Sequence, residues 1–532
     1  MIVHGAAEPQ RFRGWIAERL GLHFDDAKLG FLAEVLDRCA GSKGLASQSY
    51  LDRLEGPDIE ADLRALALEL TVPETYFFRH IDQFRAFADV ALPEARAARE
   101  PVRAISMLSA GCASGEEPYS LAMMVRERGA NLGWSVAIRA LDINAAMLAK
   151  AARGRYSAWA LRETPSESQQ RWFRSIGREF ELEESIRTAV TFQEVNLAEE
   201  NSELWAPGRY DVIFCRNLLM YFTPHNAQAL VARLTRSLAP GGHLFLGHAE
   251  TLRGLSNDYH LRHTHGTFYY QRKNTRNDAR AERTGGEING AGHGKATPPA
   301  AFEAAAPPPE PAWTGTWLET IQHASDRIQT LTDRRATQSA SRDGRGPDGS
   351  AQTAAQTAAQ TTAQTTAQLP LALELLKKER FSDALELLGR LPPESDRDTD
   401  VLLLRAALLT HSGQLNAAEN VCAQLLARDE LNSGAHYLLA LCREGAGDRQ
   451  GALDHDQAAI YLDPGFAMPR LHLGLMARRA GEQASARAEL GDALMLLRRE
   501  DASRLLLFGG GFGRDALIAL CRSELLSAGG TP

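Results

Sequence analysis

The chain has 532 residues, too many for one compact unit at roughly 100 to 200 residues per domain, so two or three domains are expected. Hydrophobic residues make up 44% and charged residues 24%, which excludes a wholly disordered chain, and no apolar run is long enough to span a membrane. With 59 basic against 67 acidic residues the formal charge is -8, so electrostatics gives no reason to expect nucleic acid as a partner.

The N-terminus, MIVHGAAEPQRFR, lacks a basic stretch leading into an apolar core. No secretory signal and no membrane insertion are expected, and a cytoplasmic location follows. Residues 1–90 read as a helical subdomain: Leu29, Leu32, Val35 and Leu36, then Leu63, Leu66, Leu68 and Leu70, fall at helical spacing and are expected in a core. From about Val102 short apolar strands alternate with helical stretches, the pattern of an α/β domain with a largely parallel sheet, expected over 91–272. The first strand, near Ala104 to Leu108, runs into SAGCASGEEPYSLAM, where Gly111 and Gly115 permit a tight turn and close ligand approach before a helix opens around Pro118. The second, Val136 to Leu141, ends in Asp142. That carboxylate reads either as a helix N-cap or as an acceptor for the ribose hydroxyls of an adenosine ligand, and its place after the second strand favours the ribose.

A third strand, near Val190 to Val195, ends in Asn196, and DVIFCRN ends in Arg216 and Asn217. Polar groups therefore collect at the carboxyl ends of successive strands, where open α/β sheets bind ligands. In LLMYFTPHNAQ, Thr223 is suited to cap a helix and Pro224 to occupy its first position. LAPGGHLFLGHAE supplies a turn and another strand; His248 and Glu250, with no third ligand nearby, read as turn and strand-end groups, and no metal is expected. Two β-rich runs between His260 and Tyr270 close the sheet. Cys39, Cys112, Cys215, Cys422, Cys442 and Cys521 are scattered without a metal or redox spacing and read as buried free thiols.

Together TYFFR, GCASGEEPYSLAM, LDINAAML, VNLAE, FCRNLLMYF and LAPGGHLFLGHAE resemble the CheR family of chemoreceptor methyltransferases over roughly residues 12 to 272. The resemblance implies a helical N-terminal subdomain and a Rossmann-like seven-stranded methyltransferase domain with a small β-subdomain at about 178–192. It also implies methyl transfer from S-adenosylmethionine to glutamate carboxylates on the cytoplasmic helices of chemoreceptors. Thr75, Arg79, Glu116, Asp142, Asn196, Leu197, Arg216 and Asn217 match the family's cofactor contacts, with Gly111 in the loop among them, while Arg79 and Tyr221 match residues beside the transferred methyl group. Pro73 stands where the family commonly has Asn, removing an amide and a backbone donor. The segment GREFELEESIRT lacks the Gly-containing loop associated with gripping a receptor pentapeptide, so pentapeptide-independent recognition is expected. The family's receptor docking is ascribed to a basic face of the N-terminal helices; residues 1–75 here hold 8 Lys and Arg against 13 Asp and Glu, which does not favour one, and leave Lys28, Arg38, Lys43 and Arg53 as a candidate local cluster. Two rival readings are a non-catalytic scaffold that senses the cofactor and a carboxyl methyltransferase for a non-receptor substrate.

Residues 273–369 lose apolar periodicity and end in AQTAAQTAAQTTAQTTAQ, a composition that cannot offset chain entropy and reads as a disordered tether. Within it Trp317, Ile321, Ile328 and Leu331 are spaced to line one face of a fluctuating helix. Over 370–532 the chain repeats every 34 residues, in Ala384, Ala418, Ala452 and Ala486 and in Gly413, Gly447 and Gly481. Ala406, Ala440 and Gly474 hold the small position where paired helices touch, and Leu425, Ala459 and Ala493 recur in the second helix. This resembles the tetratricopeptide repeat, an all-α solenoid whose concave face binds a protein or peptide. The stretch GGGFGR reads as a helix-breaking loop within a capping segment, not as a phosphate cradle.

Overall fold

The computed structural model describes residues 7–529 apart from 58, 72–73, 130–132, 275–370, 379, 392 and 511. The chain divides into two compact units, Met1–His293 and Gly294–Pro532. The tether expected over 273–369, its Trp317 to Leu331 pattern, and Pro73 fall outside the described residues, save for the tether's first two positions.

The first unit opens with helices α1 (Ala7–Arg19), α2 (Leu29–Ser42), α3 (Ser47–Leu54) and α4 (Glu60–Leu70). They close on a core of their own that includes Phe12, Ile16, Leu32, Leu36, Tyr50 and Leu66. Leu68 departs from expectation and is exposed. Two residues past buried Leu66, it is turned about 200° around the helix axis, onto the opposite face. The fully buried Asp62 receives Lys43 at 3.6 Å and Arg53 at 3.1 Å, and Arg38 pairs with Glu69 at 2.8 Å. Three of the four cations considered for a basic face are thus paired with neighbouring carboxylates, two of them sharing Asp62.

The two cores meet between Leu70 and Phe77, earlier than the boundary expected at residue 90. Phe77, Phe78, Phe84 and Phe87 pack with the sheet's apolar residues, and Gln83 donates its amide to the Leu246 carbonyl at 2.7 Å. Helices α5 (Ile81–Ala86) and α6 (Leu92–Arg99) therefore belong with the sheet.

That sheet has seven strands: β1 (Ala104–Ala110), β2 (Ser135–Asp142), β6 (Val190–Glu194), β7 (Tyr210–Cys215), β8 (Leu238–Leu246), β9 (Tyr259–Thr264) and β10 (Thr267–Arg272). Their order is β6-β2-β1-β7-β8-β10-β9, the first five parallel and the β9–β10 hairpin antiparallel. Every residue of β7 is buried, as a central strand covered on both faces must be. Helices α7 (Glu116–Glu127), α8 (Ala145–Arg153) and α9 (Pro224–Ser237) follow β1, β2 and β7. The chain runs outward from β1 to β2 and β6, then returns to β7 and builds the other way. The strand order reverses between β1 and β7, and the crevice at their carboxyl ends is where such sheets bind ligands.

A second sheet joins β3 (Arg155–Ser157), β5 (Glu179–Leu182) and β4 (Phe173–Ile176), all antiparallel. The small β-subdomain expected at 178–192 is corrected accordingly: it draws on residues from 155 onward, and Val190–Glu194 belongs to the large sheet, paired with β2. Strands of three and four residues are too short to show alternation in sequence.

The second unit stacks helix pairs Thr399–His411 with Leu415–Leu426, Ser433–Gly445 with Arg449–Leu462, and Ala467–Arg479 with Gln483–Leu497. Ala384, Ala418, Ala452 and Ala486 are fully buried, as are Ala406 and Ala440. At Gly474 a Cβ would lie 2.7 Å from Leu490, so the third pair admits nothing larger. Gly413, Gly447 and Gly481 adopt φ of +75°, +82° and +78°, the left-handed termination that ends the first helix of each pair. The Gly-rich stretch links helices Ala502–Phe508 and Arg514–Ser527, a helix break as expected. All six cysteines are buried and unpaired. Among the described residues no helix is long and apolar enough to cross a membrane, and no cluster of side chains could hold a metal ion.

Candidate active site

Four neighbouring strands, β6, β2, β1 and β7, deliver their carboxyl ends to one edge, and with them Asn196, Asp142, Gly111 and Arg216. Gly111 has φ of +76°, donates its N–H to the Leu141 carbonyl at 2.8 Å, and leaves only 3.3 Å between a hypothetical Cβ and Leu218. Gly115, at φ of +90°, precedes α7; a Cβ there would strike Ala151 at 2.8 Å. Asp142 accepts the N–H groups of Ala113 and Asn144, both at 2.8 Å, which stitches the β1 loop to the end of β2. Burial pushes its carboxyl up, against the pull of those amides. The N-cap of α8 is Asn144, which accepts from Met147 at 3.1 Å, so Asp142 is free of that duty.

Glu116 starts α7, is almost wholly buried, and accepts the Ser114 hydroxyl at 2.8 Å. Asn196 donates its amide to the Arg19 carbonyl at 2.8 Å and to Glu199 at 2.9 Å. Leu197 is buried in the wall, its carbonyl accepting from Arg233 at 2.8 Å. Thr75 is half-buried on the segment ahead of α5.

Arg79 follows on that segment between two left-handed residues, Phe78 and His80, each at φ of +57°. Such backbone is costly away from glycine and persists only when its surroundings enforce it. Here they do: the Phe77 N–H donates to the Ala160 carbonyl, the Phe78 N–H to the Ser120 hydroxyl, both at 3.0 Å, and the Arg79 carbonyl accepts from Arg216 at 2.6 Å. Arg216, with 2% of its side chain exposed, also bonds Glu117 at 3.2 Å, and Glu117 accepts the Ser109 hydroxyl at 2.7 Å. Burial lowers the Arg216 guanidinium from its usual range and raises the Glu117 carboxyl, each opposed by the other's charge. The Arg79 side chain itself is only half-buried, with Nη1 on the Glu74 carbonyl at 2.8 Å.

Glu117 escaped the sequence reading, and Glu250, read there as a turn or strand-end group, has a larger duty than that. Glu117 is the buried counter-charge of Arg216. Glu250 is 4% exposed and its carboxylate accepts the N–H groups of Gly247, Asn217, Leu218 and Leu219 at 2.6 to 2.7 Å. It thus sets the whole turn after β7, where Asn217 sits at φ of +55°. Beyond that turn Tyr221 is 38% exposed, and its carbonyl takes the His23 N–H at 2.7 Å. His80 and His248 face each other with ring centroids 4.0 Å apart. Burial and the nearby arginines push them down, with His248 adding to the effect on His80, to about 3 for His80 and about 4 for His248, so both are neutral at pH 7.

The family profile described as "CheR methyltransferase, SAM binding domain" matches residues 73–268. A "Chemotaxis protein methyltransferase 2" of Vibrio cholerae is 34% identical over 276 residues, 51% of this chain and 95% of that protein. This chain belongs to the CheR methyltransferase family. Two further relatives, each described as "Probable biofilm formation methyltransferase WspC", align across both units. That of Pseudomonas putida is 26% identical over 479 residues and that of Pseudomonas aeruginosa 27% over 485, each match spanning 90% of this chain and 96% of the relative.

As a CheR enzyme the chain is a methyltransferase that uses S-adenosylmethionine. The residues present fit that ligand. The glycine turn leaves space that a Cβ at Gly111 would narrow against Leu218, a carboxylate stands at the end of β2, and the buried Arg216 Nε has no partner among the described residues.

Proposed function

We propose that this chain methylates glutamate side chains of chemoreceptors, with its repeat unit binding a protein partner. The observation that supports the reading is the clamp on Arg79: its carbonyl accepts from Arg216, which is itself paired with Glu117, while its guanidinium is left half-buried on the Glu74 carbonyl. S-adenosylmethionine, when bound, supplies an electrophilic methyl group on a sulfonium sulfur. Asp142 would hold the ribose hydroxyls, with Thr75, Gly111, Glu116, Asn196, Leu197, Arg216 and Asn217 completing the cofactor site.

A glutamate carboxylate, with a usual pKa near ~4.3, is already ionised at neutral pH, so the chain need provide no general base. The neutral His80 and His248 are consistent with that. What remains is orientation, which can supply on the order of 7 to 11 kcal/mol at best. Arg79 would orient a carboxylate through its guanidinium fork and Tyr221 would border the methyl group. The two relatives that align over both units are named for biofilm formation, which supports that output for the pathway.

Membranes of the source organism, incubated with methyl-labelled S-adenosylmethionine, provide the test. Alkali-labile label is expected in a receptor-sized band with wild type and reduced by about 100-fold or more with Arg79→Ala. Cofactor binding without protein labelling would overturn the reading in favour of a scaffold or a small-molecule enzyme.

A further inference from the structure

Trp159 is 73% exposed, more than any other large hydrophobic side chain among the described residues. It lies on a short 3-10 turn, Ala158–Leu161, that is not free to move: Ala160 and Leu161 are buried, and the Ala160 carbonyl accepts the Phe77 N–H. The turn is therefore pinned to the segment that carries Arg79. The exposed Arg162 lies 4.3 Å from the Trp159 ring centroid and 3.5 Å from that of Tyr76, and Arg79 lies 5.7 Å from the same Tyr76 ring. Two guanidinium groups and two aromatic rings thus form a continuous ladder leading away from Arg79. Glu163, the acid beside it, is engaged with the Tyr76 hydroxyl.

We infer that Tyr76, Trp159 and Arg162 form a docking platform for a carboxylate-bearing helix of the protein substrate, adjoining the transfer site. The inference rests on the protein-glutamate reading above. Arg79 and Arg162 flank one ring, so carboxylates one or two helical turns apart, about 5 to 11 Å, can meet both at once. The rigid, exposed indole then packs on the apolar stems of the same helix face, the kind of aromatic and arginine cluster that dominates binding at interfaces. A partner rich in acidic side chains is favoured because the guanidinium groups of Arg79 and Arg162 outnumber the one carboxylate, Glu163, at the Tyr76 ring.

The full-length chain and its Trp159→Ala and Arg162→Glu variants are compared on membranes of the source organism, titrated at saturating methyl-labelled S-adenosylmethionine, with cofactor affinity measured by calorimetry. The membrane concentration giving half-maximal initial rate should rise about fivefold or more in each variant, while cofactor Kd stays within about twofold. Half-saturation unchanged in both variants would overturn the platform alone. A loss confined to the limiting rate, or a weakened cofactor Kd, would assign these residues to the transfer site and overturn it equally. Wild type that binds cofactor but labels no protein would overturn the protein-substrate reading and the platform with it.

Discussion

Removing the Glu250 carboxylate would strand the N–H groups of Gly247, Asn217, Leu218 and Leu219 in the interior. Each unsatisfied donor costs about 1 to 3 kcal/mol, so Glu250→Ala should destabilise the first unit by several kcal/mol and release the turn that holds Asn217. Glu250→Gln keeps the shape but turns an NH2 group toward backbone donors. It should fold, with weaker cofactor binding and a transfer rate reduced about tenfold or more, measured by calorimetry and label incorporation. Wild-type values in the Gln variant would show that the turn holds itself. Nothing near Glu250 in sequence reveals this duty, because its partners at 217 to 219 are brought to it by the β7–β8 pairing. Asp142 and Arg216 stood out in position for the opposite reason: each follows directly on an apolar run that reads as a strand.

At the scale of elements, the large sheet was readable because short apolar runs alternate with helical stretches, and the helix pairs because a period of 34 runs through them, whereas the small sheet was not, its strands being three or four residues long. Period also exposes an anomaly. His472 occupies the place of Leu404 and Leu438, and Asp456 the place of Cys422 and Leu490, so one layer of the solenoid core is an ion pair at 2.6 Å, backed by Glu444 at 2.9 Å. Burial works against the imidazolium, but the two carboxylates outweigh it and hold His472 up to about 9. Its folded value lies above the unfolded one near 6.5, so its contribution is complete below pH 6.5 and disappears as pH rises through about 9. Amide protection factors in helix Ala467–Arg479, with the intrinsic pH dependence of exchange divided out, should therefore fall across that window. His472→Leu alone leaves Asp456 buried and unpaired, at a cost of about 3 to 5 kcal/mol. The double change His472→Leu with Asp456→Leu, which restores the pattern of the other repeats, should recover stability and abolish the pH dependence; a double variant as weak as the single would contradict this account.

At the scale of the molecule, the Vibrio cholerae relative is matched over 95% of its length by half of this chain, so a methyltransferase of this kind can exist without the repeat unit. A chain ending at Lys273, after the β9–β10 hairpin has closed the sheet, should keep its cofactor Kd and its limiting rate on membranes within about twofold. What it should lose is enrichment near a partner, seen as a lower share of the enzyme co-sedimenting with a signalling assembly, since a tethered module acts through effective concentration. Transfer abolished by the truncation would show instead that the repeats complete the site.

The seam between the helical cap and the sheet has a consequence for recombination. Gly21 has φ of +74° and leaves only 2.9 Å between a hypothetical Cβ and Phe222; Leu22 bridges Phe222, His23 donates to the Tyr221 carbonyl, and Thr223 donates to that of Gly21 at 2.8 Å. Residues 21–23 and 221–223 are therefore two halves of one fitting, far apart in the gene. A hybrid that takes its first 70 residues from one relative and its sheet from another would inherit mismatched halves, and the misfit would fall on the residues that present Tyr221. Exchange of caps among these enzymes should succeed only where both triplets travel together, so the inheritable module is defined by this contact and not by the boundary between helices and strands.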